Sequence, residues 1–207
     1  MDIQNKNRKL LKKNHVYDET MEHDACGVGL VASTEGLKSR KVVEYGIEAL
    51  KAVWHRGAID ADGKTGDGAG IHIEIPNDFF AEKIEITGHE HDNSDLCVGM
   101  IFLPRNDFGG QEQCRSIVES ELTKKNFNIY GWRQVPVDPS VLGEKAEQTR
   151  PEITQVLFTH NDKSIHGKDL ERALYETRRK IEKEALRNQL NNFYTVSYTH
   201  LRAHETS

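Results

Sequence analysis

Glu22-His23-Asp24-Ala25-Cys26-Gly27-Val28-Gly29-Leu30-Val31-Ala32 joins a polar leader to an apolar, glycine-punctuated run, with a cysteine at the junction. The run reads as a strand. A lone cysteine opening a core strand is an ordinary buried residue, since unpaired Cys is among the most buried types. Its chemistry changes if the Ala25–Cys26 bond is cut. Cys26 then carries a thiol and a free α-amine, which titrate at roughly 8.5 and roughly 7.7 to 8.0 in reference peptides. The amine takes the thiol's proton, directly or through a water, so nucleophile and base reside in one residue. In the uncut chain that nitrogen is an amide and cannot act as a base.

The chain around this stretch has 207 residues, 36% hydrophobic and 29% charged, which suits a domain with one sizeable core and a polar surface. A net charge of -5 gives no electrostatic case for nucleic acid as a partner. Cys26, Cys97 and Cys114 are odd in number and lack C-x-x-C spacing, which argues against a disulfide framework or zinc knuckle and fits a reducing, cytoplasmic compartment. No run approaches the ~18 apolar residues that span a membrane. Residues 1–25 are basic at Lys6, Arg8, Lys9, Lys12 and Lys13, but their one apolar pair, Leu10-Leu11, is no secretory h-region. The acids Asp2, Asp18, Glu19, Glu22 and Asp24 argue against a transit peptide, and a removable propeptide fits better.

After the Cys26 strand, Gly36 marks a turn and Ser39 caps a helix to about Trp54 that buries Val43, Ile47, Leu50 and Trp54. A glycine- and aspartate-dense loop from Asp60 to Gly70 precedes a strand on which Ile71, Ile73 and Ile75 alternate. Gly88 to Asp95 is polar loop and Leu96 to Leu103 a buried strand. Gln111 to Lys125 is a helix with Cys114, Ile117, Val118, Glu121 and Leu122 along one face. Phe127 to Val137 is extended with a bend at Gly131, and Ile153 to Phe158 is a strand. Lys168 to about Asn188 is a helix burying Leu170, Leu174, Thr177 and Ile181, and Phe193 to Ser197 begins another strand. Pairs of strands between single helices predict an α+β fold with antiparallel sheets and helices layered on them.

Three motifs in the loop region have competing readings. Gly63-Lys64-Thr65 imitates the end of a phosphate-binding loop, but Walker A needs glycine where Ala58 stands. Asp60-x-Asp62 imitates a calcium loop, but Ile71 occupies the position that requires glutamate. The remaining reading is conformational: the glycines permit positive φ and close packing. His89-x-His91 has no third ligand in view, and His200-x-x-x-His204 lacks the glutamate of a zinc protease. Trp132-Arg133 reads as a cation-π pair or, more commonly for a strand, a core tryptophan beside an arginine.

Tyr17-Asp18 with Glu22 to Gly29, Thr65-Gly66-Asp67-Gly68-Ala69-Gly70, Val98 to Pro104 and Gly131 to Asp138 together resemble the glutamate synthases, whose large subunit opens with a class II glutamine amidotransferase domain. The resemblance covers Tyr17 to about Ser197. It implies the four-layer αββα sandwich of N-terminal-nucleophile hydrolases, incomplete at its C-terminus. The implied organisation is a propeptide over 1–25, the amidotransferase domain over 26–197 and a non-native tail over 198–207. It implies Cys26 as nucleophile. Arg56, 30 positions later within His55-Arg56-Gly57, is implied as a pocket residue beside it. A guanidinium there favours thiolate and orients polar neighbours, whereas an arginine at a helix exit is otherwise an ordinary partner of the dipole.

The implied activity is hydrolysis of glutamine to supply ammonia for glutamate formation from 2-oxoglutarate, a step of nitrogen assimilation. The implied partners are glutamine, the remaining synthase domains and a small electron-donating subunit. FMN and an iron-sulfur cluster are implied for the intact enzyme and none for this chain, and the electron donor stays open. Pocket residues of the family fall beyond residue 197, so little or no glutaminase activity is expected of the isolated chain. Two other readings remain: an amidotransferase of another glutamine-dependent synthase, and a non-catalytic domain with Cys26 in its core.

Overall fold

The structure is a computed structural model that describes residues 27–53, 59–66, 68–90, 95–190 and 192–198, the side chains of 196–198 excepted. The chain divides into two units, Met1–Ile59 with Gly66–Ile71, and Asp60–Thr65 with His72–Ser207.

In the first unit the expected helix is present as α1, Arg40–Ala52. Ser39 caps it, its hydroxyl accepting from the Lys41 amide at 3.2 Å, which satisfies one of the orphan donors of the first turn. The turn before it closes with the Gly36 amide donating to the Ser33 carbonyl at 3.3 Å. Val43, Ile47 and Leu50 share one face and are half-buried, and none of the helix is fully buried. Gly27 to Ala32 form no strand, and Val28 and Leu30 are 89% and 92% exposed. Alternation sets side-chain periodicity only; a strand exists where a neighbouring backbone takes its hydrogen bonds.

The second unit is built on a four-stranded antiparallel sheet of order β2-β3-β1-β4, with β1 Leu96–Leu103, β2 Phe127–Gln134, β3 Glu152–His160 and β4 Tyr194–Tyr198. The pairings Cys97↔Phe158, Gly99↔Val156 and Ile101↔Thr154 put the odd-numbered residues of β1 on one face. There α3, Phe108–Lys124, and α5, Gly167–Arg187, close the main core. Cys114, Val118 and Leu122 from α3 and Leu170, Leu174 and Ile181 from α5 pack with Cys97, Ile101, Leu103, Val156 and Phe158. Each such large side chain contributes about 1.5–3 kcal/mol on burial. Thr177 keeps its place on this apolar face by donating to the Ala173 carbonyl at 2.7 Å.

On the other face α2, Asn77–Ile86, brings Phe80 and Ile84 onto Leu96, Val98, Leu157 and Tyr130. That helix escapes the sequence reading because two apolar anchors four apart leave little periodic signal. Beyond α2 the same face is only half-buried at Met100, Phe102, Ile153 and Gln155. The bend expected at Gly131 is a β-bulge between Ile129 and Gly131, with Gly131 at φ 153°, outside the range that other residues adopt readily. Ile71 and Ile73 are exposed and form no strand, while Ile75 joins the α2 core. A short helix absent from the sequence reading, α4 at Glu144–Thr149, precedes β3.

Candidate functional site

Cys26 and Arg56, the two residues on which the sequence reading rests, lie outside the described residues, as do Asp67, His91, His200 and His204. The described residues resume at Gly27 after the one and at Ile59 after the other. Gly27 follows Cys26 directly in the sequence, and an added Cβ on Gly29 would stand 4.0 Å from the Ala49 Cβ of α1. Downstream of Arg56, Ile59 and Gly66 form an isolated antiparallel bridge.

Between those bridge residues the chain makes a tight turn. The Asp60 amide donates to the Thr65 carbonyl at 2.7 Å and the Gly63 amide to the Asp60 carbonyl at 2.9 Å. Asp62 organises its interior: one carboxylate oxygen accepts from the Lys64 amide at 2.9 Å and the Thr65 amide at 2.7 Å, and the other accepts from the Thr65 hydroxyl. The Thr65 hydroxyl first, then the amides of Lys64 and Thr65 and that of Lys145, hold the Asp62 carboxyl far below the usual carboxylate range. The turn rests on the start of α4. Gly143 has no room for a Cβ, which would meet the Thr65 hydroxyl, the Asp62 carboxylate and, at 2.5 Å, the Thr65 amide. Lys145 closes the contact with Nζ 2.6 Å from Asp60 Oδ2. Glu147 ties α4 onward, accepting from Arg150 Nε at 2.8 Å and from Arg105. Arg150 first, then Arg105, lower its carboxyl.

This geometry answers the competing motif readings. The Asp62 oxygens are engaged by the turn's own donors, and among the described residues no group of three His, Cys, Asp or Glu could hold a metal ion. Gly63 stands at φ 69° within the turn, the conformational role that the loop's glycines suggested. Trp132 and Arg133 point to opposite faces as strand neighbours must. Trp132 donates to Glu119 at 2.7 Å, and Arg133 donates to Gln155 at 2.7 Å and lies over Phe79. His89 contacts Thr87 at 3.0 Å beside Tyr130. The docking of the turn on Gly143 is the feature the sequence reading missed; Asp62-x-x-Thr65 is its one local trace, because the partner lies some eighty residues away.

The family model for class II glutamine amidotransferases matches residues 26–203. The chain belongs to the class II glutamine amidotransferases. Among curated proteins it is 50% identical over 191 residues to the glutamate synthase [NADPH] large chain of Azospirillum brasilense, covering 92% of this chain and 12% of that protein. It is 37% identical over 170 residues to the chloroplastic ferredoxin-dependent glutamate synthase 2 of Arabidopsis thaliana, covering 82% of this chain and 10% of that one. The figure is 36% over 179 residues for ferredoxin-dependent glutamate synthase 2 of Synechocystis, with 86% and 11% covered. The amidotransferase chain therefore spans about a tenth of the length of the curated relatives it matches. These matches bear out the resemblance to the glutamate synthases, and the antiparallel sheet with its helices bears out the α+β class. No helix among the described residues is long and apolar enough to cross a membrane.

Proposed function

We propose that this chain is the glutaminase part of a glutamate synthase in which Cys26, released as the first residue of the mature chain, is the nucleophile. The observation that carries the reading is that the family match opens at residue 26, the cysteine at the leader–strand junction. The α-amine of Cys26 takes the thiol proton, and the thiolate attacks the side-chain amide carbon of glutamine. Collapse of the tetrahedral intermediate breaks the C–N bond, the departing nitrogen takes the proton as ammonia, and water cleaves the glutamyl thioester to glutamate. Arg56 lines this pocket and favours the thiolate.

The ammonia aminates 2-oxoglutarate in other domains of the synthase, with electrons arriving through FMN and an iron-sulfur cluster from a donor such as a small partner subunit. The donor set here does not fit such a cluster: Cys97 and Cys114, the described thiols, are buried in the sheet–helix core. No step of this chain's reaction runs through either group. We assign 1–25 as propeptide, 26–197 as the domain and 198–207 as a non-native tail, residues that from 199 on lie outside the described ones, and a cytoplasmic setting in keeping with the free thiols Cys97 and Cys114.

We extend the proposal to the four-layer sandwich. It is supported by the half-buried sheet face at Met100, Phe102 and Ile153, and by exposed apolar residues two apart at Val28 and Leu30 and at Ile71 and Ile73. Intact mass of the full-length synthase tests the nucleophile: a chain beginning at Cys26 is expected, with Cys26→Ala abolishing glutamine-dependent but not ammonia-dependent glutamate formation. Retained glutamine use by Cys26→Ala overturns the assignment.

A further inference from the structure

The geometry points to an ordered water held in the core of the second unit between Arg178 of α5 and Thr195 of β4, tying that helix to that strand. A small cavity lies between the sheet and the helices α3 and α5, and it gives the centre of a water molecule about 20 Å³ of room. One water needs roughly 10–15 Å³. Every residue lining the cavity is buried except Arg178. An apolar cavity of this kind stays dry, but three polar side chains, Thr177, Arg178 and Thr195, line this one.

The order of the chain brings them together. Thr195 stands opposite Ile101 in the β1–β4 ladder and is buried on the core-facing side of the sheet. Arg178 follows Leu174 by four residues and precedes Ile181 by three, so its stem flanks the face by which α5 packs on the sheet. Its Nε is buried and makes no hydrogen bond. Glu182 Oε1, 3.6 Å away, attracts that nitrogen as an ion partner from beyond hydrogen-bond reach. The donor is therefore left for the cavity.

Thr177 already uses its proton on the Ala173 carbonyl at 2.7 Å, which leaves its oxygen as an acceptor. A water that accepts from Arg178 Nε and donates to the Thr195 and Thr177 oxygens makes three hydrogen bonds, the usual number for a buried water. Such a bridge satisfies the one guanidinium donor that Glu182 does not reach, and it fastens α5 to β4 at a point where no direct side-chain hydrogen bond could span the cavity.

The test is a set of crystal structures of the full-length synthase at a resolution that shows ordered water: wild type, Thr195→Ser, Thr195→Val and Arg178→Met. In the wild type one density peak is expected at about 2.7–3.2 Å from Arg178 Nε and from at least one of the two threonine oxygens. Thr195→Ser, which keeps the hydroxyl, should retain the peak. Thr195→Val removes the hydroxyl and Arg178→Met removes the donor while keeping an apolar stem, so both should lose it. A wild-type cavity without the peak overturns the inference, as does a direct Arg178 Nε–Glu182 hydrogen bond above a dry cavity. A peak that survives Arg178→Met or Thr195→Val in place, or that is lost in Thr195→Ser, overturns it equally. Should a variant not fold, the wild-type density decides by itself.

Discussion

Gly99 on β1 faces Val156 on β3 so closely that a Cβ at position 99 would stand 2.8 Å from the Val156 Cγ1. Phe158 and Ile101 complete the wall at 3.5 and 3.9 Å. Both strands are central in the sheet, so neither backbone moves without breaking ladder hydrogen bonds. Gly99→Ala is expected to destabilise the domain by about 1–3 kcal/mol through overpacking. Urea unfolding should show a lower midpoint at an unchanged slope, and an unshifted midpoint would mean that the sheet yields at this point.

Asp107 caps α3, one carboxylate oxygen accepting from the Gly110 amide at 2.9 Å, and Gly110 leaves the space that the carboxylate occupies. Asp107→Ala should cost roughly 0.5–2 kcal/mol, with Asp107→Asn and Asp107→Ser close to wild type. Thermal melts of the three proteins decide it: equal losses in all three would assign the effect to charge and not to the cap.

Burial, with Asp95 and Glu171 adding to it, pushes the Cys97 thiol far above its ordinary range, and burial with Asp107 pushes Cys114 up to about 11. At pH 8 a thiol titrating near 11 is ~0.1% thiolate. Iodoacetamide at pH 8 should therefore leave both unmodified in the folded protein and label both after denaturation, as read by peptide mass spectrometry. Fast labelling of Cys114 in the native state would show that the α3 face opens locally.

The carboxyls of Asp62, Asp138, Glu147, Asp162 and Glu176 are all held low by hydrogen bonds, from Thr65, Ser140, Arg150, Ser164 and Lys125 respectively. A carboxyl lowered in the folded state adds stability above its unfolded value of about 4 and loses it as pH falls toward the folded value. Glu171, raised by burial, acts in the opposite sense. The urea midpoint is expected to fall between pH 6 and pH 3, and less steeply in Asp62→Asn. A flat profile would mean that these bonds persist in the unfolded chain.

Amphipathic helices were the most legible part of the fold. The face Leu170, Leu174, Thr177 and Ile181, the Ser39 cap, the limits of β1 and the bend at Gly131 stand in the structure as the pattern indicates. A helix carries its hydrogen bonds within itself, so its periodicity is nearly sufficient. The runs Gly27–Ala32 and Ile71–Ile75 alternate equally well yet form no strand, because a strand needs a partner that no local pattern supplies.

The sequence by itself determined the family, through the junction at Cys26 and the Thr65–Gly70 run, since reactive residue types and glycine positions are written in the local order of the chain. Tertiary structure alone decided what the Asp60–Thr65 turn rests on. Gly143 and Lys145 meet that turn across some eighty residues of chain. The fit of one segment into the space left by a missing side chain on another is a property of packing, which sequence order does not record.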